Sequence, residues 1–294
     1  MQGSFQIGAH AIPAGPLEPA LYLVATPIGN LADITLRALQ VLASADILAC
    51  EDTRVTRTLL SRYAIANRPV AYHEHNAARA GPKLVAALKE GKSVALVSDA
   101  GTPLVSDPGY RLVELALEDG ITVIPVPGAS APLAALVASG LPSDSFHFAG
   151  FLPARDKARR DRLDSLKDVP ATLVLFESPR RLAAALAAAA DVLGAGRSAA
   201  VCRELTKAFE EIRRAPLGEL ARHYAQADTV KGEIVLVIGP PADEPASPED
   251  ADALLLELLK SHAPGKAATE AAQRTGLPRK ALYQRLLSMK DAAP

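Results

Sequence analysis

Short apolar runs without polar alternation punctuate the first half of the chain, at residues 21–25, 45–50, 69–72, 94–97 and 122–126. Runs of four to six aliphatic residues bounded by turn formers predict strands of a parallel sheet covered on both faces. The segments between them, 35–42, 53–62, 83–90 and from Tyr110 onward, carry helical periodicity, so strand and helix alternate as in an α/β domain. The rest is organised around VALVSDAGTPLVSDPGYRLVELALEDGITVIPVPGASA, which reads as strand, loop, helix, strand. Ligands of such sheets bind beyond the carboxyl ends of the strands. Asp99-Ala100-Gly101 and Pro127-Gly128-Ala129-Ser130 stand at two such ends, expected to be neighbours. Small side chains admit a ligand to the backbone amides, and Asp99 and Ser130 offer groups that read hydroxyls or amines; ordinary tight turns would share this composition.

A second unit follows. Residues 131–139 predict a bridging helix, 146–151, 172–176, 199–202, 210–214 and 234–238 predict strands, and 181–193 and 217–226 predict helices. Pro240-Pro241-Ala242-Asp243-Glu244-Pro245 is a linker by composition. Beyond it, helices over 250–261, 267–274 and 278–289, with a Thr275-Gly276 turn, resemble a helix-turn-helix. The expected division is a disordered leader (1–19), an N-terminal α/β domain (20–128), a C-terminal α/β domain (129–240) and a helical extension (248–294).

Composition narrows the function classes. With 49% apolar residues but only 4% aromatics and no Trp, the cores are aliphatic. A net charge of −1 gives no global pull toward nucleic acid or membrane, so any such binding rests on local clusters. Cys50 and Cys202 each end an aliphatic run, which predicts buried, reduced thiols. Neither a signal peptide, a membrane span nor a metal-ligand spacing is recognisable, and a cytoplasmic location is expected.

Charged groups collect at strand ends. Glu51-Asp52-Thr53-Arg54 either orients a substrate or caps a helix. His73-Glu74-His75 lacks a third metal ligand at a familiar spacing and reads as a polar loop. Glu177, Glu204 and Lys207 follow apolar runs and should face a common opening, because charge is costly inside. The run Arg155-Asp156-Lys157-Ala158-Arg159-Arg160-Asp161-Arg162 suits either a solvated helix face or an RNA backbone, and the extension concentrates Arg279 and Lys280 in its last helix. Missing are GxGxxG after the first strand, GxxxxGK[ST] and GxSxG, which removes the usual dinucleotide, nucleotide-triphosphatase and hydrolase readings.

The stretches LYLVATPIGNLADITLRAL, CEDTR, YHEHN, ALVSDAGTPLVSDPG, VIPVPGASA, FAGFLP, LFESPRR, RELTK with FEE, and KGEIVLVIG occur in order over residues 20–239. By them the chain resembles the tetrapyrrole methylase superfamily, and within it the ribosomal RNA small subunit methyltransferase I branch. Ser98-Asp99-Ala100-Gly101 replaces the GGDP-type loop of porphyrin-modifying relatives, which favours the ribosomal branch. The resemblance implies two α/β domains of the class III methyltransferase kind with S-adenosyl-L-methionine in the cleft between them, and a homodimer. It implies cofactor contacts from Pro27, Ser98, Asp99, Ala100, Gly101, Ser130 and Ala131, and from Phe176, Leu205 and Gly232. The implied reaction is 2′-O-methylation of a cytidine in 16S rRNA near the decoding centre, with the rRNA or the small subunit as partner.

That reaction needs in-line alignment and a base for the ribose hydroxyl, but no metal. Lys207, Glu177 and Glu74 are the candidates for assisting deprotonation, and an ion-pair network that only shapes the pocket is the alternative. Arg54, Arg155, Arg159, Arg160, Arg180, Arg203, Arg279 and Lys280 are the candidates for RNA contact. A porphyrin-like small-molecule methyltransferase of the same superfamily and a non-catalytic RNA-binding protein are the rival readings.

Overall fold

A computed structural model of the chain describes residues 3–106, 109–227, 230–241 and 248–291. Two compact units emerge: Met1–Leu166 with Ala171–Gly239, and Lys167–Pro170 with Pro240–Pro294. The larger holds two five-stranded sheets, the smaller the helical extension.

In the first sheet, β3 (Leu21–Val24), β4 (Ile47–Cys50), β5 (Pro69–Ala71), β6 (Val94–Val97) and β7 (Val123–Val126) run parallel in the order β5-β4-β6-β3-β7. The uninterrupted apolar runs have the expected cause: Leu21 and Leu96 pack on one face of the sheet, while Tyr22, Val24, Ala95 and Val97 pack on the other. Helices α1 (Leu36–Ser44), α2 (Thr53–Arg62), α3 (Ala77–Lys89) and α4 (Tyr110–Glu118) connect the strands. Thr35 caps α1 by accepting the Ala38 amide, and Asp52 caps α2 by accepting the Arg54 amide at 2.8 Å. β3 lies between β6 and β7, so the strands that end in the two small-residue loops are not adjacent, although the loops themselves meet beyond the end of β3.

The second sheet is mixed. Its strands β8 (Phe146–Phe151), β9 (Thr172–Glu177), β10 (Ser198–Arg203), β11 (Glu211–Pro216) and β12 (Ile234–Ile238) lie in the order β11-β10-β12-β9-β8, with only β8 and β9 parallel. Strands this buried show no alternation, so their direction was not legible. The bridging helix α5 (Ala131–Ser139) packs Ala135 and Leu136 against Val174, Ala200, Cys202 and Val237 of this sheet. Helices α6 (Asp156–Asp164), α7 (Leu182–Leu193) and α8 (Leu217–Ala225) complete the unit. In the extension, α9 (Pro248–Leu259), α10 (Pro264–Thr275) and α11 (Arg279–Asp291) close on Ala251, Leu255, Leu258, Ala268, Leu282 and Leu286. Arg285 clamps α11 to α9 through Asp252 at 2.6 Å, and that hydrogen bond holds the Asp252 carboxyl below its ordinary range. Most of the expected linker lies outside the described residues.

The expectation of a disordered leader is overturned. Ser4–Ile7 (β1) and His10–Pro13 (β2) form an antiparallel hairpin, Phe5 is 4% exposed within the first-sheet core, and the Gln6 amide donates to the Tyr63 carbonyl at 2.8 Å. These two strands bury at most one side chain each and so carry no continuous apolar run of the kind that marks the sheet strands. Phe5→Ala should therefore lower unfolding stability by about 3 kcal/mol or more, whereas truncating the exposed Ile7 should cost about 0.5 kcal/mol or less, read by denaturant melts. Equal, small effects would show an undocked hairpin.

Candidate active site

Three strand-end loops of the first sheet lock together. The Thr26 amide donates to the Gly101 carbonyl at 2.8 Å and Gly101 returns the bond at 3.0 Å. The Thr26 hydroxyl reaches the Ser98 carbonyl at 3.2 Å, and the Thr102 hydroxyl ties the β6 loop to Ala129 of the β7 loop at 3.2 Å. The β3 loop also meets the second sheet. The Asn30 amide donates to the Thr206 hydroxyl at 3.1 Å, and a Cβ on Gly29 would lie 2.4 Å from Lys207 Cγ, so no other residue allows that approach.

Two cavities result. The first, of about 370 Å³, is walled by Ala100–Thr102 and Ser130–Pro132 on one side and by Phe151, Phe176–Pro179, Leu205 and Gly232–Val235 on the other. It is largely apolar; Cys202 in its wall is pushed up to about 11 by burial and stays a neutral thiol. The second, of about 340 Å³, is lined by Thr26–Gly29, by Val55, Thr56, Thr58 and Leu59 of α2, by Ser98–Ala100, and by Lys207 and Glu233. Ile28, Ala100 and Glu233 border both. A volume of this order suits a nucleoside-sized ligand.

Lys207 is held at the second cavity by two carboxylates, Glu204 at 2.7 Å and Glu233 at 2.9 Å. Burial of the amine works to lower its pKa, but the two hydrogen bonds and charges outweigh it, and the net shift is upward. Glu204 is held below its ordinary range, first by the Lys207 hydrogen bond and then by the Glu233 amide. Gly232 stands here with φ +95°, and a Cβ would come 2.4 Å from the Glu204 carboxylate carbon. Glu177 is buried in the wall of the first cavity and bound to Arg181 at 2.7 Å.

Of the expected cofactor residues, Gly101, Ser130, Ala131, Phe176, Leu205 and Gly232 line the first cavity, Pro27, Ser98 and Asp99 line the second, and Ala100 borders both. The three catalytic candidates do not converge: Glu177 faces the first cavity, Lys207 the second, and exposed Glu74 neither. Glu233 went unremarked; its one signal was a carboxylate between Gly232 and the last apolar run.

The arginines also separate. Arg54 is 85% exposed beside Asp52 at 2.6 Å, and its hydrogen bonds lower the Asp52 carboxyl to about 2. Arg159 corrects an expectation: its side chain is only 7% exposed, bonded to Asp156 and to the Ala154 carbonyl at 3.3 Å, so it anchors α6 and cannot reach a phosphate. Arg160 is shared by Asp156 and Asp191, both at 3.0 Å, and Arg203 is bound to Glu211 at 3.1 Å. Arg155, Arg180, Arg279 and Lys280 are exposed.

A family model described as tetrapyrrole (corrin/porphyrin) methylases matches residues 20–221, and one described as the RsmI C-terminal HTH domain matches residues 245–290. A ribosomal RNA small subunit methyltransferase I of Mesorhizobium japonicum is 64% identical over 98% of both chains, and that of Escherichia coli O157:H7 is 48% identical over 92% of this chain and 95% of its own. Among solved structures, diphthine synthase aligns with a TM-score of 0.60 at 18% identity, covering 74% of this chain and 89% of its own. Uroporphyrin-III C-methyl transferase from Thermus thermophilus, complexed with S-adenyl homocysteine, aligns at 0.52 and 23% identity, covering 75% and 97%. The paired strand-end loops and double cavity are thus carried by a chain that belongs to the tetrapyrrole methylase family, in the group of the ribosomal RNA small subunit methyltransferases I.

Proposed function

We propose that the chain transfers a methyl group from S-adenosyl-L-methionine to the ribose 2′-hydroxyl of a cytidine in small-subunit 16S rRNA. The relatives' names support the ribosomal substrate. The observation that carries the reading is the division of the site: an apolar cavity and a charged one meet across Ile28 and Ala100, so two reactants can approach through one narrow wall. The first cavity fits the nucleoside and the sulfonium-bearing chain of the cofactor, with small side chains at Ala100, Gly101, Ser130 and Ala131 beside the Phe151 and Phe176 rings.

The cofactor supplies a methyl already activated on a sulfonium. The chain aligns the hydroxyl and receives its proton. Lys207, kept charged by Glu204 and Glu233, is a hydrogen-bond donor to the oxygen as negative charge grows on it, and the Glu233 carboxylate, at the border of both cavities, accepts the proton. Arg54 and Arg180 supply phosphate contacts. Exposed Arg279, Lys280 and Tyr283 on α11 form the docking face of the extension. A homodimer in the cytoplasm belongs to the same reading: Leu133 and Val137, one turn apart on α5, are exposed, and among the described residues no helix is long and apolar enough to cross a membrane.

Purified protein, methyl-labelled cofactor and small subunits lacking the modification should yield label on a cytidine ribose. No label on subunits or naked rRNA, or label on a porphyrin-like acid instead, would overturn the reading. Lys207→Ala should lower kcat about 100-fold or more while cofactor affinity, read by calorimetry, stays within about twofold. Because the native pKa of Lys207 lies above its ordinary value, the ammonium persists throughout the neutral range and its contribution is lost only as pH rises through that raised pKa. The wild-type rate should therefore show no rise that tracks lysine deprotonation; such a rise would restore Lys207 as the base. Arg279→Glu with Lys280→Glu should weaken subunit binding about tenfold or more and flatten its salt dependence, with cofactor affinity unchanged.

A further inference from the structure

Glu177 ends β9 in the wall of the first cavity, yet its two carboxylate oxygens are treated very differently. Oε1 accepts from the Ser178 amide at 2.7 Å and from Arg181 Nε at 2.8 Å, and forms an ion pair with the second Arg181 terminal nitrogen at 2.7 Å. Arg181 is itself fixed, because it also donates to the Leu152 carbonyl at 3.1 Å. The carboxylate is therefore pinned by one oxygen and has no freedom to swing. Oε2 is buried, and among the described residues no donor reaches it; the side chain as a whole is 1% exposed.

A carboxylate is acceptor-only, and a buried acceptor without a donor is costly. Glu177 lines the first cavity, so a ligand bound there is a source for that donor. Beside it the Phe151 and Phe176 rings lie 5.3 Å apart, tilted by 51° to each other, and give an apolar flank against which a base can pack. Lys207 and the second cavity, where the ribose hydroxyl would be deprotonated, do not include Glu177.

We infer that Glu177 binds cofactor, its free Oε2 accepting a hydrogen bond from an N–H or O–H of the nucleoside half of S-adenosylmethionine. The inference rests on the methyl-transfer reading and reassigns Glu177 from acid–base chemistry to recognition. Its donor is either the adenine 6-amino group or a ribose hydroxyl. Both present a neutral donor to a fixed charged acceptor.

Calorimetry on the full chain separates these sources. S-adenosylhomocysteine is titrated into wild type, Glu177→Gln and Glu177→Ala, alongside S-inosylhomocysteine, which lacks the 6-amino donor, and the 2′-deoxy and 3′-deoxy analogues. Glu177→Gln keeps the side-chain volume, and thermal melts of both variants establish that they fold. Wild type should lose about 10- to 100-fold in affinity for whichever analogue lacks the donor. Glu177→Gln should bind S-adenosylhomocysteine more weakly by a similar factor and show no further loss with that analogue. A purely structural role through Arg181 would weaken every ligand alike, with losses that add, and this result overturns the inference, as does unchanged affinity in the variants. Failure of wild type to bind S-adenosylhomocysteine at all would overturn the methyl-transfer reading along with it.

Discussion

The contact between the β3 loop and the loop that follows β10 makes this site two cavities instead of one open cleft. Asn30 and Thr206 join backbone to hydroxyl across it, and the missing side chain of Gly29 lets Lys207 lie against the backbone. The approach requires strain. Glu204 and Thr206 take left-handed φ of +52° and +66°, each costing about 1 kcal/mol or more. Local bonds over-determine that conformation: the Glu210 carboxylate accepts the Thr206 amide at 2.6 Å, and the Glu204 amide donates to the Glu233 carbonyl at 2.9 Å. Strain held this firmly fixes where the Lys207 ammonium sits, which a loop of ordinary turns would not.

Much of this was legible from residue order, for identifiable reasons. Parallel strands buried on both faces must be apolar throughout, so residues 94–97 announced themselves, and the small-residue loop after them lies at the cavities. Helix α2 was legible because Asp52 caps it. Illegible were features set by partners distant in sequence. The β10–β12 pairing that makes the second sheet mixed joins residues 31 to 39 positions apart, and nothing in a run such as 234–238 encodes its direction. Lys207 and Glu177 look equivalent as charges after strands, yet one strand leads to the second cavity and the other to the first. The leader hairpin escaped because its stability comes from Phe5 entering a core built by other segments.

The basic run 155–162 illustrates how helical spacing disarms a charge cluster. Its acids stand three or four residues from its bases, so Lys157 pairs with Asp161 at 2.7 Å and Arg160 with Asp156 at 3.0 Å, while Arg159 turns inward. Composition counts five bases there; three are engaged in these pairs, and the exposed Arg155 and Arg162 are what the run offers a phosphate. In the extension the same rule spares Arg279 and Lys280, which open a helix without a neighbouring acid, while Arg285 in the next turn is taken by Asp252.

This distribution bears on how a chain of net charge −1 would hold a polyanion. The first cavity is lined by apolar side chains, hydroxyls and carboxylates but by no Lys or Arg, and the cation of the second is already shared by two carboxylates. Neither interior attracts phosphate, and an unneutralised carboxylate there would repel it. On the proposed reading the RNA backbone must then remain outside, against the exposed guanidiniums of Arg54 and Arg180, with only a splayed nucleoside entering. Exclusion of phosphate is useful chemically: a 2′-hydroxyl that arrives without its charged neighbours meets a Lys207 ammonium shared only with Glu204 and Glu233, so no phosphate competes with the developing oxyanion for its hydrogen bonds.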